Sequence, residues 1–265
     1  MARSLIRTIR LGWWLGTLSV RSLLSYPPDF LIGALGVLMF HLTNLAAVYL
    51  VFDLAGSIGG WTPQQAVFLA ALSNMRFVLG GIFFGGLHSL PPYIRSGKLD
   101  RILTYPVSPL FTLLCLEKDV ADLVNVGVLA AALAWSARSF GDVTLVNVAF
   151  FVVLMALGLA ATFGFSLLTV APSFWATAGN AFPQIFRLFW EFEAYPTRLF
   201  PSAIQFLLTW VFPVAVAVFV PSQVLFGHEP WMAGIRVVGL VAAIDLALGL
   251  GLFHLGLRRY QSVGH

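Results

Sequence analysis

Long apolar stretches with few charges constrain this chain more than any other feature of its sequence. A hydrocarbon core of about 30 Å is crossed by about 20 helical residues, and six stretches suffice: residues 30–52, 66–90, 120–137, 143–170, 174–190 and 235–257. Only 10% of the residues are charged, whereas a soluble domain carries about 25%. The sequence therefore predicts one all-α polytopic membrane domain over residues 1–265, with six transmembrane helices.

A seventh apolar stretch, residues 199–226, is interrupted by prolines. Pro201, Pro213 and Pro221 lie within it, and Pro196 precedes it. Broken backbone is tolerated at membrane depth only where it packs against protein or lines water. A single span is possible here, but we predict a re-entrant helical pair over residues 196–227, before span six.

Residues 1–26 have the pattern of an amphipathic helix. Arg3, Arg7, Arg10 and Arg21 fall within a narrow sector at 100° per residue, beside an apolar sector that includes Trp13. Such a helix lies flat at the lipid boundary. The alternative is a simple anchor that sets the orientation of the chain.

The positive charges predict the orientation in the membrane. Ten of the fifteen Lys and Arg residues share one side of the six-span arrangement: Arg3, Arg7, Arg10, Arg21, Arg95, Lys98, Arg101, Lys118, Arg258 and Arg259. Cytoplasmic loops carry an excess of such residues, so both termini and the loop after span two are expected in the cytoplasm. Acidic residues that include Glu193 and Glu229 are then expected outside.

Residues 91–110, the charged segment, interrupt the apolar sequence between spans two and three. Arg95, Lys98, Asp100 and Arg101 supply charge. Prolines bound the segment, and Gly97 is its one flexible point. Its apolar residues are expected to offer a face to a partner: Ile94, Leu99, Ile102 and Leu103. Periodicity fits equally a stiff contact element and a solvated loop whose charges only set topology.

Four polar residues lie within predicted spans. Arg76 and Asp245 have opposite charge and similar estimated depth, and a lone ion at the bilayer centre costs at least about 2.5–3.5 kcal/mol. We predict that they pair with each other or that each has a partner nearby. Such a pair either serves transport or only stabilises the structure. His41 and Asn44 share one helix face, where they line a substrate path or bond across helices.

The sequence lacks the common signatures of catalysis. It has no GxxxxGK[ST] loop, GxSxG elbow or HExxH pair, and its Cys and His residues do not cluster at metal-ligand spacing. Single Cys115 excludes an internal disulfide, and no nucleic-acid motif is present. The chain is expected to be no enzyme and to bind no metal or cofactor itself.

Three motifs follow one another along the chain. The charged segment reads Gly-x-Leu-Asp-x-x-Leu-x-x-Pro, formed by Gly97, Leu99, Asp100, Leu103 and Pro106. A proline-rich stretch ends in Leu-x-Gly at residues 225–227, and Leu-Arg-Arg-Tyr-Gln-Ser occupies residues 257–262. Over nearly its whole length the chain resembles type-2 ABC transporter permeases, in the bacterial branch that carries this loop pattern.

The resemblance implies a membrane subunit in the bacterial cytoplasmic membrane. Two permeases, either siblings or identical copies, rest on two ATP-binding cassette ATPase subunits that bind ATP and Mg²⁺. The charged segment becomes a cytosolic coupling helix, and the residues expected to contact the ATPase are Arg95, Gly97, Lys98, Leu99, Asp100, Leu103 and Pro106. The re-entrant pair faces the exterior.

The function expected from this resemblance is ATP-driven export of a hydrophobic or amphipathic substrate, such as a drug-like compound or a lipid. A secondary transporter is an alternative, but its two halves would carry interrupted helices in matching positions, and only one interrupted region is visible. A membrane scaffold that transports nothing is a second alternative.

Overall fold

The computed structural model describes residues 27–56, 58–116, 122–140, 143–176 and 188–262. Its longer helices, in chain order, are α1 (Pro27–Leu54), α2 (Pro63–Phe84), α3 (Leu90–Arg95), α4 (Lys98–Leu103), α5 (Pro109–Leu116), α6 (Asp122–Ala137), α7 (Leu145–Val170) and α8 (Trp231–Arg259). Between α7 and α8 the described chain forms short 3₁₀ turns and two helical arms, Ser202–Val211 and Ala215–Leu225.

Four of the described helices are long and apolar enough to cross a membrane: Leu31–Leu54, Pro63–Arg95, Leu145–Phe174 and Trp231–Arg259. The count rises to five if the two arms form one bent span. These four helices confirm an all-α polytopic membrane protein. The count of six stays a prediction: α6 has 16 residues, most of the proposed fifth span lies outside the described residues, and so does the amphipathic helix over residues 1–26.

Local sequence sets where α2 and α7 begin. The Thr62 hydroxyl accepts a hydrogen bond from the Gln65 amide while the Gln65 side chain accepts one from the Thr62 amide, which satisfies donors that a helix start leaves free. At the start of α7 the Thr144 hydroxyl accepts one hydrogen bond, from the backbone amide of Asn147. The two spans therefore have fixed starting points at the same end of the molecule as the loop between α1 and α2.

Helices α7 and α8 cross closely because glycines face each other. A Cβ atom added at Gly164 would lie 2.6 Å from the Asp245 carbonyl oxygen, and one added at Gly249 would lie 3.0 Å from Leu167 Cβ. Small residues permit such backbone approach between membrane helices. On the other side, α1, α2 and α6 share an apolar cluster that contains Phe52 and Leu129.

The two arms meet at a bend of 80°. Pro201 precedes the first arm, Pro213 lies in the break, and Pro221 lies in the first turn of Val220–Leu225. Pro196 precedes the 3₁₀ turn Thr197–Leu199. Pro196, Pro201 and Pro213 lie outside the helical arms, where a missing N–H is tolerated, and Pro221 lies where the helical turn Ala215–Phe219 passes into Val220–Leu225. The interruption predicted from these prolines is thus present, and whether the pair re-enters or crosses the membrane stays a prediction.

Candidate functional site

The charged segment forms two short helices joined at a glycine. Helix α2 runs through the 3₁₀ turn Gly85–Ser89 into α3, whose first turn contains Pro91 and Pro92. Those prolines do not break the chain direction, because the first turn of a helix has no N–H bonds to lose. The turn comes at Gly97 instead, whose φ of 68° is left-handed and favours glycine.

The apolar side of this segment packs against its own chain. Leu99 is fully buried and Ile102 is 3% exposed, in a cluster that includes Ile94, Leu113 and Phe253. The prediction that Ile94, Leu99 and Ile102 offer an apolar face to a partner is therefore wrong. Their burial among residues of α5 and α8 stabilises the fold, since each large apolar side chain contributes about 1.5–3 kcal/mol.

A different surface remains accessible on the segment. Its exposed residues include Arg95, Lys98, Arg101, Leu103 and Pro106, together with small polar residues such as Ser96 and Thr104. Lys98 Nζ lies 5.8 Å from the centre of the Tyr93 ring, and Arg101 Nε donates a 3.0 Å hydrogen bond to the Tyr105 hydroxyl. These contacts hold the two cations at the surface. The accessible face is basic with one large apolar residue, which suits a partner groove lined by acids.

Asp100 does not belong to that outer face. It is half-buried and accepts a 2.6 Å hydrogen bond from the Ser262 hydroxyl, 162 residues along the chain. Tyr260 lies beside it, and burial together with the Asp100 carboxylate raises the pKa of the Tyr260 phenol to about 12. The sequence pattern singled out residues 257–262 but did not predict this contact.

A family model described as "ABC-2 family transporter protein" matches residues 38–264. The chain belongs to this family. It is thus the membrane subunit of an ABC transporter, as the motifs indicated, and such permeases normally work with ATP-binding cassette ATPase subunits. No curated protein and no solved structure matches the chain.

Arg76 of the permease pairs with Glu193. Its Nε lies 2.6 Å and 2.7 Å from the two carboxylate oxygens, and Ser73 donates a 2.9 Å hydrogen bond to the same carboxylate. The guanidinium also lies 5.2 Å from the centre of the Trp190 ring. Of the two predicted alternatives, the Arg76–Asp245 pair is therefore wrong. The other, a partner nearby, is confirmed for Arg76, whose partner lies in the turn Glu191–Ala194.

Glu193, predicted on the exterior side of the membrane, is buried inside the protein rather than exposed in a loop, and its side of the membrane stays a prediction. Arg76 lies 13 residues into α2, or about 20 Å along its axis, and Glu193 is 2% exposed beside it. A carboxylate is tolerated at such depth because a cation and a hydroxyl surround it. Topology counting assigned Glu193 by its place in the sequence, and only the fold reveals that its turn packs against the middle of α2.

His41 and Asn44 of the permease face one residue of α2. Asn74 Nδ2 donates a 3.2 Å hydrogen bond to Asn44 Oδ1, and buried His41 faces the same Asn74 side chain. The prediction that His41 and Asn44 share one face is confirmed. The contact across helices fits the structural use of such residues, and their role in a substrate path stays a prediction.

Asp245 is buried at the crossing of α7 and α8. It is 6% exposed, and its Oδ2 has no hydrogen-bond partner within the part of the chain that the structure describes. The same stretch contains no group of three or more His, Cys, Asp or Glu able to hold a metal ion.

A polar mouth lies at the end of the helices opposite the charged segment. One cavity of about 470 Å³ lies between the loop before α2 and the second arm, and it is lined by Gly60, Trp61, Gln65, Arg198, Gln223 and His228. A neighbouring cavity of about 240 Å³ also contains Arg198 and Gln223. At its rim, Arg198 and Glu229 form an exposed ion pair of 2.6 Å.

Proposed function

We propose that this permease exports a hydrophobic or amphipathic substrate across the bacterial cytoplasmic membrane, driven by ATP hydrolysis in a partner. The working unit contains two permeases and two ATPase subunits that bind ATP and Mg²⁺. Both termini and the charged segment face the cytoplasm, and the polar mouth faces the exterior.

The observation that carries this proposal is the division of the charged segment into two sides. Leu99 and Ile102 anchor α4 in the permease core, while Arg101 and Leu103 point away from it. A loop that only set topology would gain nothing from a buried apolar anchor. An element that receives force requires one, because a contact surface transmits motion only if it is fixed to the helices that must move.

The substrate class is supported by the contrast between the surface of the spans and the lining of the polar mouth. The described spans present apolar surface over most of their length, and the cavities at the mouth combine apolar lining, such as Trp61 and Phe219, with amides, an imidazole and an ion pair. A molecule with an apolar body and a polar end fits both environments.

Copurification with the ATPase tests the proposal. The permease is expressed with the ABC ATPase subunit of its own genome, and the retained ATPase and its ATP turnover are measured. K98E combined with R101E is expected to reduce retention at least about tenfold, because each reversal places like charges across the contact. The matched control is Arg138→Glu, at an exposed residue next to Ser139 and Phe140, which line a cavity with Gln65 and His228 at the opposite end of the helices.

Two results would contradict the proposal. In the first, wild-type permease retains no ATPase. In the second, the double reversal retains as much ATPase as Arg138→Glu does. Folding of each variant is monitored separately. Exposed Lys98 and Arg101 contribute little to stability, so their reversal should leave the fold intact. Leu99→Ala provides the comparison, because it removes a buried side chain and is expected to destabilise the permease by about 2–5 kcal/mol.

A further inference from the structure

The chain beyond α8 lies against the charged segment. After Arg259 the backbone leaves the helix, with Tyr260 at φ −62° and ψ 129°. The Tyr260 ring meets Phe174 edge to face at 6.3 Å and packs on the cluster that contains Leu99 and Ile102. Residues 260–262, called here the post-α8 segment, are thus held by apolar contacts before Ser262 reaches Asp100.

This post-α8 segment is attached to a rigid part of the molecule. Helix α8 crosses α7 at Gly164 and Gly249 with almost no space between the backbones. Gly256, one turn before Tyr260, lies directly against the Phe174 ring. Any motion of the α7–α8 pair is therefore transferred to Tyr260 and Ser262.

Asp100 lies on the far side of the Gly97 joint from α2. Left-handed Gly97 separates α3, which continues from α2, from α4, which carries Asp100. The hydrogen bond from Ser262 thus reaches α4 on the side of Gly97 that is away from α2. It links α4 to the last span independently of α2.

We propose that Tyr260 and Ser262 position α4 for the ATPase through Asp100, so that α4 and the α7–α8 pair move as one unit. Asp100, Tyr260 and Ser262 are positioning residues that do not themselves touch the ATPase. The inference rests on the proposed function, since it assigns the means by which motion of α4 reaches the last span.

A double-mutant cycle between Asp100 and Ser262 tests this inference. Ser262→Ala, Asp100→Asn and the double variant are expressed with the ATPase, and retention and ATP turnover are measured as above. Each single change is expected to lower retention about three- to tenfold, because a hydrogen bond to a charged group is lost or weakened. The double variant is expected to lose no more than the worse single variant, because the two side chains act through one contact.

Two controls separate positioning from folding. Ser262→Thr keeps the hydroxyl and is expected to restore wild-type retention, and Gln261→Ala, at the exposed neighbouring residue, is expected to leave it unchanged. Membrane yield and thermal stability should be the same in all variants. The inference is overturned if Ser262→Ala retains ATPase like wild type, if Ser262→Thr fails to rescue, or if the two losses multiply. Failure of wild type to retain ATPase would instead refute the proposed function.

Discussion

The buried Arg76–Glu193 pair allows a prediction of stability from burial alone. In Glu193→Ala the guanidinium of Arg76, 3% exposed in its side chain, loses its counter-ion and its closest acceptor. Removal of one member of a buried pair costs about 3–5 kcal/mol. For a chain of this size each kcal/mol corresponds to about 2–4 °C in Tm, so Glu193→Ala is expected to lower Tm by about 6–20 °C.

Cys115 provides the assay. It is the only cysteine in the chain and is 5% exposed, so a thiol-reactive fluorophore labels purified permease in detergent as unfolding uncovers it. The control is Glu229→Ala, which breaks an ion pair of the same 2.6 Å length whose side chains are 57% and 39% exposed. Exposed pairs are worth about 0–1 kcal/mol, so its Tm should fall by less than about 4 °C.

Replacing both partners sharpens the test. Arg76→Met with Glu193→Leu removes both charges and refills the volume, and such exchanges are often neutral or stabilising. The double variant is therefore expected to recover most of the Tm lost in Glu193→Ala. Equal losses of Tm in Glu193→Ala and Glu229→Ala would refute the reasoning. So would a double variant whose loss of Tm equals the sum of the losses in Arg76→Met alone and Glu193→Leu alone.

Two further predictions concern glycines. Gly164→Ala places a Cβ against the Asp245 backbone and is expected to destabilise the permease by about 1–3 kcal/mol, measured with the Cys115 label. The control is Gly239→Ala on α8, where nothing lies within 4 Å of the added atom, and it should be neutral or stabilising. Equal effects of the two substitutions would contradict close packing of α7 and α8. Gly97 has a φ of 68°, so Gly97→Val is expected to lower the stability of the permease by about 1–2 kcal/mol and to reduce ATPase retention. Asparagine tolerates left-handed backbone, so Gly97→Asn should retain more ATPase than Gly97→Val. Similar retention by both variants would argue against a left-handed joint at Gly97.

Hydropathy and proline spacing were sufficient to predict the main architecture. The spans matching α1, α2, α7 and α8 follow from apolar length alone, and the break at Pro213 follows from the lost N–H. Both are local properties, so a single sequence contains them. The positions of Pro91 and Pro92 were less informative, because a proline in the first helical turn is compatible with either a break or a new helix.

The partners of buried polar residues could not be predicted in the same way. Charge sign and estimated depth favoured Asp245 for Arg76, yet both properties are shared by any acid that the fold brings to that depth. The fold brings Glu193 to the depth of Arg76 because the turn that contains Glu193 packs onto α2. Likewise, the period of the charged segment identified an apolar side through Leu99 and Ile102, but period does not tell whether a partner or the chain's own core covers that side.

The actual placements change how force would travel in the proposed exporter. Helix α2 and its extension run from Pro63 to Arg95 as one candidate span of 33 residues; they carry Arg76 midway and lead into the charged segment. Glu193 lies nine residues before the first arm, which begins at Ser202, so movement of α2 would also move the turn that leads to the polar mouth. Movement of α4 would in turn be transmitted to α8 through the Asp100–Ser262 hydrogen bond. Displacement at one contact surface would therefore reach both walls of the mouth, because the second arm packs on α7 at Gly158 and on α8 at Gly234 through Val224.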